Sequence, residues 1–266
     1  MTTFTKHHGL GNDFLVTFEL DPATDHSALA RRLCDRRLGV GADGLLVGAE
    51  TPGEPTDLTM VLYNADGSIA EISGNGIRCF AQAAYRRTGR TAFAIRTGAG
   101  PRAVSIEGDA TGDTIEVTVE MGAVEPLPTP DGWELLACDP LRPVAHLSIG
   151  NPHSVVGVDD VAAVDLEALG TLVPHVNLEI VEPGPGPAAV TMRVHERGAG
   201  ITQACGSGAC VTAVAASRWG LVGSDDHEIA VHMPGGSARV RLETVGDGPQ
   251  RVTLIGPTTF VATVVC

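Results

Sequence analysis

The chain has 266 residues, a formal net charge of −14, a pI near 4.9 and 4% aromatic residues. This acidity argues against nucleic acid as a partner, because nucleic acids bind faces rich in Lys and Arg. It argues equally against an anionic membrane surface. No run approaches the roughly 18 apolar residues of a membrane-spanning helix, and the N-terminus lacks the apolar core of a signal peptide. We therefore predict a cytoplasmic protein that acts on a small molecule.

Taken in chain order, the first predicted element is a capped helix over 25–41 that ends at Gly39. A strand-like run at 57–64 precedes a Gly-rich turn and an alanine-rich helix at 77–87. Alternating apolar and polar residues then predict half-buried strands in the segments "AFAIRT", "AVSIEG" and "TIEVTVEM". The stretch at 125–132 is a plausible crossing between two halves of the chain.

The second half of the chain repeats this order. The segment "PGPGP" at 183–187 predicts a surface turn, and a strand-like run follows at 189–196. A second Gly-rich turn leads into an alanine-rich helix at 209–219, and "ARVRLETV" alternates as a half-buried strand does.

An ungapped alignment shows that this similarity extends to single residues. When 62–86 is laid over 194–218, Ser73 falls on Cys205 and Gly74 falls on Gly206. Further matches in the same order pair "GNDFLV" with "GNPHSVV" and "AIRTGAGPRAVSI" with "AVHMPGGSARVRL". The shared order predicts two homologous halves. The N-terminal half spans 1–122, joined by a C-terminal strand at 255–266, and the other half spans 123–254.

Each Gly-x-Gly turn offers unpaired backbone N–H groups at a helix N-terminus, which suit a carboxylate or a phosphate. A single turn of this kind is usually structural, whereas two related copies predict convergence on one ligand. Cys205 stands at such a helix start, where we expect its pKa to fall from about 8.5 toward neutrality. Two residues at these positions are suited to removing a proton from one face of a carbon and returning one to the other face. That chemistry is racemisation or epimerisation.

Several other polar residues occur near these turns. Four asparagines follow or end strand-like runs: Asn12, Asn64, Asn151 and Asn177. His153 and Glu196 are candidates to orient the donors or tune the cysteine, and Arg197 is a candidate for a second carboxylate. The alternative for each is ordinary, since Asn caps turns, Arg lies on surfaces and a lone His often belongs to a core.

A cofactor is not expected. The sequence has no Walker motif, no GxGxxG after a strand and no obvious lysine for pyridoxal phosphate. The six cysteines are scattered, without Cys-x-x-Cys or another metal-ligand spacing. We therefore predict reduced thiols, no metal and no cofactor, so that the site itself must hold the substrate carboxylate and exclude water.

Long motifs across nearly the whole chain resemble those of the diaminopimelate epimerase family, in the same order. They are "HHGLGNDF", "CDRRLGVGADG", "YNADGSIAEISGNGIRC", "GNPHSVV", "VNLEIVE", "HERGAGITQACGSGAC" and "MPGG". The resemblance implies an α/β (α+β) fold of two pseudo-symmetric halves, each a curved mixed or antiparallel sheet around a central helix, with the active site between them. It also implies a cofactor-independent isomerase that interconverts LL- and meso-2,6-diaminopimelate for lysine and cell-wall synthesis, and commonly a homodimer.

The same resemblance implies roles for individual residues. Those it assigns to catalysis are Cys205, Ser73, His153 and Glu196. Those it assigns to substrate binding are Asn12, Asn64, Gly74, Asn75, Asn151, Asn177, Arg197, Gly206 and Ser207. Arg197 is expected at the distal carboxylate. Cys205 and Ser73 are expected to be the two bases.

Two positions depart from the family pattern. Ser73 stands where the family has its other catalytic cysteine, and a hydroxyl ionises far less readily than a thiol. Ile201 stands where "GET" usually follows the ERG motif, which removes a carboxylate. Three accounts of Ser73 stay open: a natural serine that works as a base, an engineered replacement, or a change of substrate or to one-base chemistry. The functional alternatives are a racemase of another amino acid and a ligand-binding paralogue without catalysis.

Overall fold

The structure is a computed structural model that describes residues 1–19, 21, 23–108, 110–223, 227–243 and 249–266. The chain forms two compact units. Residues 1–120 and 256–266 form unit 1, and residues 121–255 form unit 2. Within the described ranges, no helix is both long and apolar enough to span a membrane.

Unit 1 is built from strands, two of which continue into unit 2, and from two helices. The strands are β1 (Thr3–Gly9), β2 (Asn12–Thr17), β3 (Gly44–Glu50), β4 (Leu58–Asn64), β5 (Ile69–Ala70), β6 (Ala92–Thr97), β7 (Gly100–Glu107), β8 (Thr114–Ala123) and the C-terminal part of β17 (Arg251–Val265). The helices are α1 (His26–Cys34) and α2 (Gly74–Thr88).

The strands of unit 1 form a closed barrel around α2. Their order is β17-β1-β2-β3-β4-β6-β7-β8, and β8 pairs with β17 again. The pairs β2–β3 and β4–β6 are parallel, so the sheet is mixed. Residues 74–84 of α2 are buried. The buried polar side chains among them are hydrogen-bonded, as Arg78 is to Asn75 and Gln82 to His7.

Unit 2 repeats this arrangement. Its strands are β9 (Glu125–Pro126), β10 (Val144–Ser148), β11 (Pro152–Gly157), β12 (Asn177–Pro183), β13 (Ala189–Glu196), β14 (Gly200–Ile201), β15 (Glu228–Met233), β16 (Gly236–Glu243) and the N-terminal part of β17. Its helices are α3 (Leu166–Leu172) and α4 (Gly206–Arg218), with short 3₁₀ turns at Trp133–Leu136 and Val161–Ala163.

The strand order of unit 2 is β9-β10-β11-β12-β13-β15-β16-β17, and its parallel pairs are β11–β12 and β13–β15. These occupy the same places as the parallel pairs of unit 1. Residues 206–216 of α4 are buried, like the start of α2. The predicted fold of two similar halves, each a mixed sheet around a helix, is confirmed. The predicted strands at 92–97 and 189–196 have these bounds, whereas residues 244 and 245 of "ARVRLETV" lie outside the described residues.

The predicted end of the first helix at Gly39 is wrong. Helix α1 stops at Cys34, because the Asp35 carboxylate accepts hydrogen bonds from the N–H groups of Arg37 and Leu38 at 2.7 and 2.8 Å. An Asp that bonds the backbone two or three residues onward competes with the helix. The chain then turns through Gly41, whose φ of +81° favours glycine.

Candidate active site

The two Gly-rich turns have the same local geometry. Ser73 is the N-cap of α2 with φ −132° and ψ 123°, and its Oγ accepts a hydrogen bond of 3.0 Å from the Gly76 N–H. Cys205 is the N-cap of α4 with φ −127° and ψ 113°, and its Sγ accepts one of 3.3 Å from the Gly208 N–H. Serine is a preferred N-cap, whereas cysteine is not. Capping therefore explains Ser73 but does not explain Cys205.

Cys205 begins a row of hydrogen-bonded polar side chains, which are buried except for the half-buried Asn151. Its Sγ lies 3.5 Å from the Ser207 Oγ, which accepts a hydrogen bond of 3.3 Å from the Asn151 amide. The oxygen of that amide lies 3.0 Å from the His153 Nε2. The structure thus brings four predicted site residues into one hydrogen-bonded row inside unit 2.

The row ends at a residue that the sequence reasoning missed. The Nδ1 of His153 lies 2.6 Å from a carboxylate oxygen of Glu179, and both side chains are fully buried. Burial is the main cause that raises the pKa of Glu179, and the charge and hydrogen bond of His153 oppose it. One signal was available in the sequence, because Glu179 stands inside the otherwise apolar run "LEIV". An acidic residue in a buried strand is rarely left unpaired.

Glu196 is the last residue of β13 and a hydrogen-bond partner of the Cys205 thiol. Its Oε1 accepts a hydrogen bond of 2.5 Å from the Thr202 hydroxyl. Loss of hydration raises the pKa of Glu196, and hydrogen bonds with Thr202 and Cys205 oppose this rise. Ile201, the departure from the family motif, is 40% exposed. Its neighbour Thr202 is the residue that contacts Glu196.

The expectation of a lowered pKa for Cys205 is wrong. Burial raises the pKa of the thiol well above its usual range, and the negative charges of Glu196 and Glu179 raise it further. The hydrogen bonds of Ser207 and the Gly208 N–H lower it, by less. A helix N-terminus therefore does not offset the lost hydration. The hydrogen-bonded neighbour of this thiol is the Glu196 carboxyl group, whose pKa burial also raises.

The turn at Ser73 is held by a different set of contacts. The Asn75 amide donates a hydrogen bond of 3.2 Å to the Asn12 oxygen, and the Asn12 amide donates one of 2.8 Å to the Asp43 carboxylate. The buried Arg78 donates 2.8 Å to the Asn75 oxygen. The structure thus brings Asn12 and Asn75 into contact, and Asp43 and Arg78 are the partners that fix their orientation.

The remaining predicted residues lie at strand and helix ends. Asn177 is the first residue of β12. Its amide donates a hydrogen bond of 2.9 Å to the Pro152 carbonyl, and its side-chain oxygen accepts one of 2.9 Å from the Arg197 N–H. It therefore fixes the backbone of Arg197. Asn64 ends β4, where its amide donates 3.0 Å to the Ser68 hydroxyl. Gly74 and Gly206 are the buried first residues of α2 and α4.

In each unit, these contacts present side-chain and backbone donors at a helix N-terminus: hydroxyl and amide groups in unit 1, and thiol, hydroxyl and amide groups in unit 2. Such donors suit a carboxylate and a carbanion that develops beside it. Across the described ranges, no cluster of three or more His, Cys, Asp or Glu residues is placed to hold a metal ion.

Comparison with known proteins agrees with this chemistry. The family model described as diaminopimelate epimerase matches residues 4–127 and 146–261. The chain belongs to the diaminopimelate epimerase family. A diaminopimelate epimerase of Trichodesmium erythraeum is 37% identical over 98% of both chains. One of Thermosynechococcus vestitus is 38% identical over 96% of both. Membership of the diaminopimelate epimerase family confirms the predicted isomerase class.

Solved structures show how widely the fold of the diaminopimelate epimerase family is shared. A phenazine biosynthesis protein of the PhzF family from Bacillus anthracis superposes with a TM-score of 0.76 at 16% identity, covering 99% of this chain and 98% of that one. A hydroxyproline epimerase from Agrobacterium vitis, with trans-4-hydroxy-L-proline bound, gives 0.72 at 16% identity, covering 99% and 91%. At these identities the likeness concerns the fold alone.

Proposed function

We propose that the protein interconverts LL- and meso-2,6-diaminopimelate without pyridoxal phosphate, in lysine and peptidoglycan precursor synthesis. The supporting observation is the duplicated N-cap, which carries a proton-bearing side chain in each repeat, Ser73 and Cys205. Relatives named diaminopimelate epimerase match nearly the full chain. The substrate is a small amino-acid dicarboxylate.

The proposed chemistry is a two-base transfer of the α-proton. Cys205 gives its thiol proton to Glu196, and the resulting thiolate removes the α-proton. The Ser73 hydroxyl then protonates the opposite face of the carbanion and becomes an alkoxide. Because an alkoxide is much less stable than a thiolate, steps that form it limit the rate. His153 assists through Asn151 and Ser207.

The binding roles follow from the helix N-termini. Backbone N–H groups at Gly74 and Asn75, and at Gly206 and Ser207, hold the reacting end of the substrate. Arg197 binds the distal carboxylate as a bidentate partner. The asparagines of the site supply further hydrogen bonds to the amino acid: Asn12, Asn64, Asn151 and Asn177.

Deuterium exchange tests the proposed function. The protein incubated with LL-diaminopimelate in deuterated water should incorporate deuterium at one α-carbon and yield the meso isomer. The variant Cys205→Ala should lose this exchange, because a base has been removed. Absence of exchange at high concentration of the unaltered protein would exclude the function.

A second variant identifies the substrate class. Arg197→Ala should lose most activity on diaminopimelate, because the distal carboxylate loses its partner. Activity that is indifferent to this change, together with turnover of a monocarboxylic amino acid, would instead support a racemase. Tight binding of carboxylates without exchange would support a ligand-binding paralogue.

We also propose a cytoplasmic homodimer, which the family resemblance supports. Sedimentation velocity of the purified protein measures its mass. A single species of 27.5 kDa, the mass of one chain, would contradict the dimer.

A further inference from the structure

Unit 2 carries a buried ionisable pair at positions that are apolar in unit 1. In the parallel pair β2–β3 Phe14 lies opposite Gly44, and in β11–β12 His153 lies opposite Asn177. This register places Phe14 at the position of His153. Two residues further along β3 and β12, it places Leu46 at the position of Glu179.

The helix starts support this equivalence independently. A Cβ added to Gly76 of α2 would meet the Leu46 side chain at 3.5 Å, whereas one added to Gly208 of α4 would meet the Glu179 Oε1 at 2.7 Å. The same fold therefore forms with or without the ionisable pair. Because an apolar pair of similar volume is often equally stable in a core, stability of the fold does not explain why His153 and Glu179 are present.

The hydrogen bonds of the pair show what it does. Asn151 presents its amide oxygen to the His153 Nε2, so this nitrogen carries a hydrogen. The other nitrogen, Nδ1, lies 2.6 Å from the Glu179 Oε1, so one further proton is held between histidine and carboxyl group. Among the described residues, the buried Oε2 of Glu179 has no hydrogen-bond partner. The buried carboxyl group thus depends on its hydrogen bond with His153 for its stabilisation.

The donor and acceptor roles in these hydrogen bonds determine those of the next bonds in the row, as far as the thiol. With its oxygen engaged by His153, Asn151 turns its NH₂ group to the Ser207 Oγ. The hydroxyl hydrogen of Ser207 is then free to point at the Cys205 Sγ, 3.5 Å away. A hydrogen bond to sulfur favours the thiolate over the thiol. The ring orientation that Glu179 holds at His153 thereby reaches Cys205 through Asn151 and Ser207.

We infer that Glu179 is a positioning residue of this site: it shares one proton with His153 and so fixes the direction of the hydrogen bonds that reach Cys205 through Asn151 and Ser207. The inference rests on the proposed function for its kinetic consequence, but the shared proton is a property of the protein without substrate. Glu179 acts only through its neighbours and does not contact substrate.

The first test is spectroscopic and needs no substrate. A short hydrogen bond between imidazolium and carboxylate gives a far-downfield, exchange-protected proton resonance. We expect this resonance in the unaltered protein, with ¹⁵N coupling that assigns it to His153 Nδ1, and we expect it to be absent from Glu179→Gln. An unaltered protein whose His153 is neutral, with no such proton, would overturn the inference.

The second test is kinetic. Glutamine has nearly the volume of glutamate but cannot share the proton, so Glu179→Gln should lower kcat about 10- to 100-fold, as for other residues that orient a functional histidine. The KM for diaminopimelate should not change. The exposed Glu167 on α3 supplies the matched control Glu167→Gln, which should leave both constants unchanged.

The outcomes separate this inference from the proposed function. Normal kcat in Glu179→Gln shows that glutamate serves only to pack, and a raised KM with normal kcat shows contact with substrate; either result overturns the inference while the function stands. If the unaltered protein fails to exchange diaminopimelate, the function fails, and the His153 resonance still decides whether the proton is shared.

Discussion

The two capping residues differ most in their surroundings. Three ionisable side chains adjoin Cys205 or its hydrogen-bonded row, His153, Glu179 and Glu196. The corresponding positions of unit 1 carry Phe14, Leu46 and Asn64. At these three positions, proton-accepting groups beside the thiol are replaced by apolar or neutral groups beside the serine. The chemistry that follows is asymmetric, and proton exchange should be faster for the stereoisomer whose α-proton faces Cys205.

Restoring cysteine at position 73 tests this asymmetry. Ser73→Cys should raise turnover of diaminopimelate, because a thiol ionises more readily than a hydroxyl. The cap should survive, since Cys205 caps α4 with the same backbone angles. The measurement is the rate of deuterium incorporation from each stereoisomer, compared between the two proteins.

Ser73→Ala is the control for this comparison. It removes both the proton and the cap, which costs about 1 kcal/mol of stability. A lower rate in Ser73→Cys than in the unaltered protein would show that serine is adapted to its role.

At the scale of the elements, the equivalent strand pairs β2–β3 and β11–β12 carry different buried side chains at equivalent positions. Both pairs are parallel and each packs beside a buried helix start. One presents Phe14 and Leu46 to that helix, and the other presents His153 and Glu179. The backbone pairing is therefore independent of the side chains at these two positions.

This independence predicts a non-additive effect on stability. Glu179→Leu alone should lower the free energy of unfolding by about 3 to 5 kcal/mol, because it leaves the buried His153 without its partner. The double variant His153→Phe/Glu179→Leu should recover most of that loss, since it copies unit 1. Urea unfolding of the two variants and the unaltered protein measures the difference. A double variant less stable than the single one would contradict the equivalence of the strands.

At the scale of the whole molecule, a buried histidine in unit 1 makes stability depend on pH. His7 is fully buried, and its Nδ1 lies 2.8 Å from the Gln82 Oε1. Burial lowers the pKa of His7 from 6.5 to about 4, and the hydrogen bond with Gln82 opposes this shift in part. The neutral imidazole is thus the form that the fold accommodates.

The sign of the effect follows from the lowered pKa. The unfolded chain binds a proton at His7 below pH 6.5, whereas the folded protein binds it only near pH 4. Stability from His7 is therefore complete above pH 6.5 and is lost as the pH falls toward 4, by up to about 3 kcal/mol. His7→Leu should remove this pH dependence of the free energy of unfolding, measured by urea unfolding at pH 7.5 and 4.5. His175 is exposed, so the control His175→Leu should retain the pH dependence. Equal pH dependence in His7→Leu would exclude His7 as its source.

Much of the fold was predictable because local sequence patterns determine its strands and helices. The strand at 189–196 was predicted from alternation. The helices predicted at 77–87 and 209–219 correspond to α2 and α4, which begin three residues earlier because the Gly-rich segments form their first turns. The sequence repeat alone also related Ser73 to Cys205. The end of α1 was missed, since one side chain, Asp35, competes with the helix for backbone N–H groups.

The site divides in the same way. Sequence alone established the repeated half, the family and the polar residues of the Gly-rich turns, because spacing and residue type report local backbone geometry. It did not reveal the role of Glu179 or the raised pKa of Cys205. Both depend on hydration lost to neighbours far along the chain, such as β12 and β13 beside α4. Desolvation and the direction of buried hydrogen bonds are properties of packing, and they exist only once the strands have enclosed the helix.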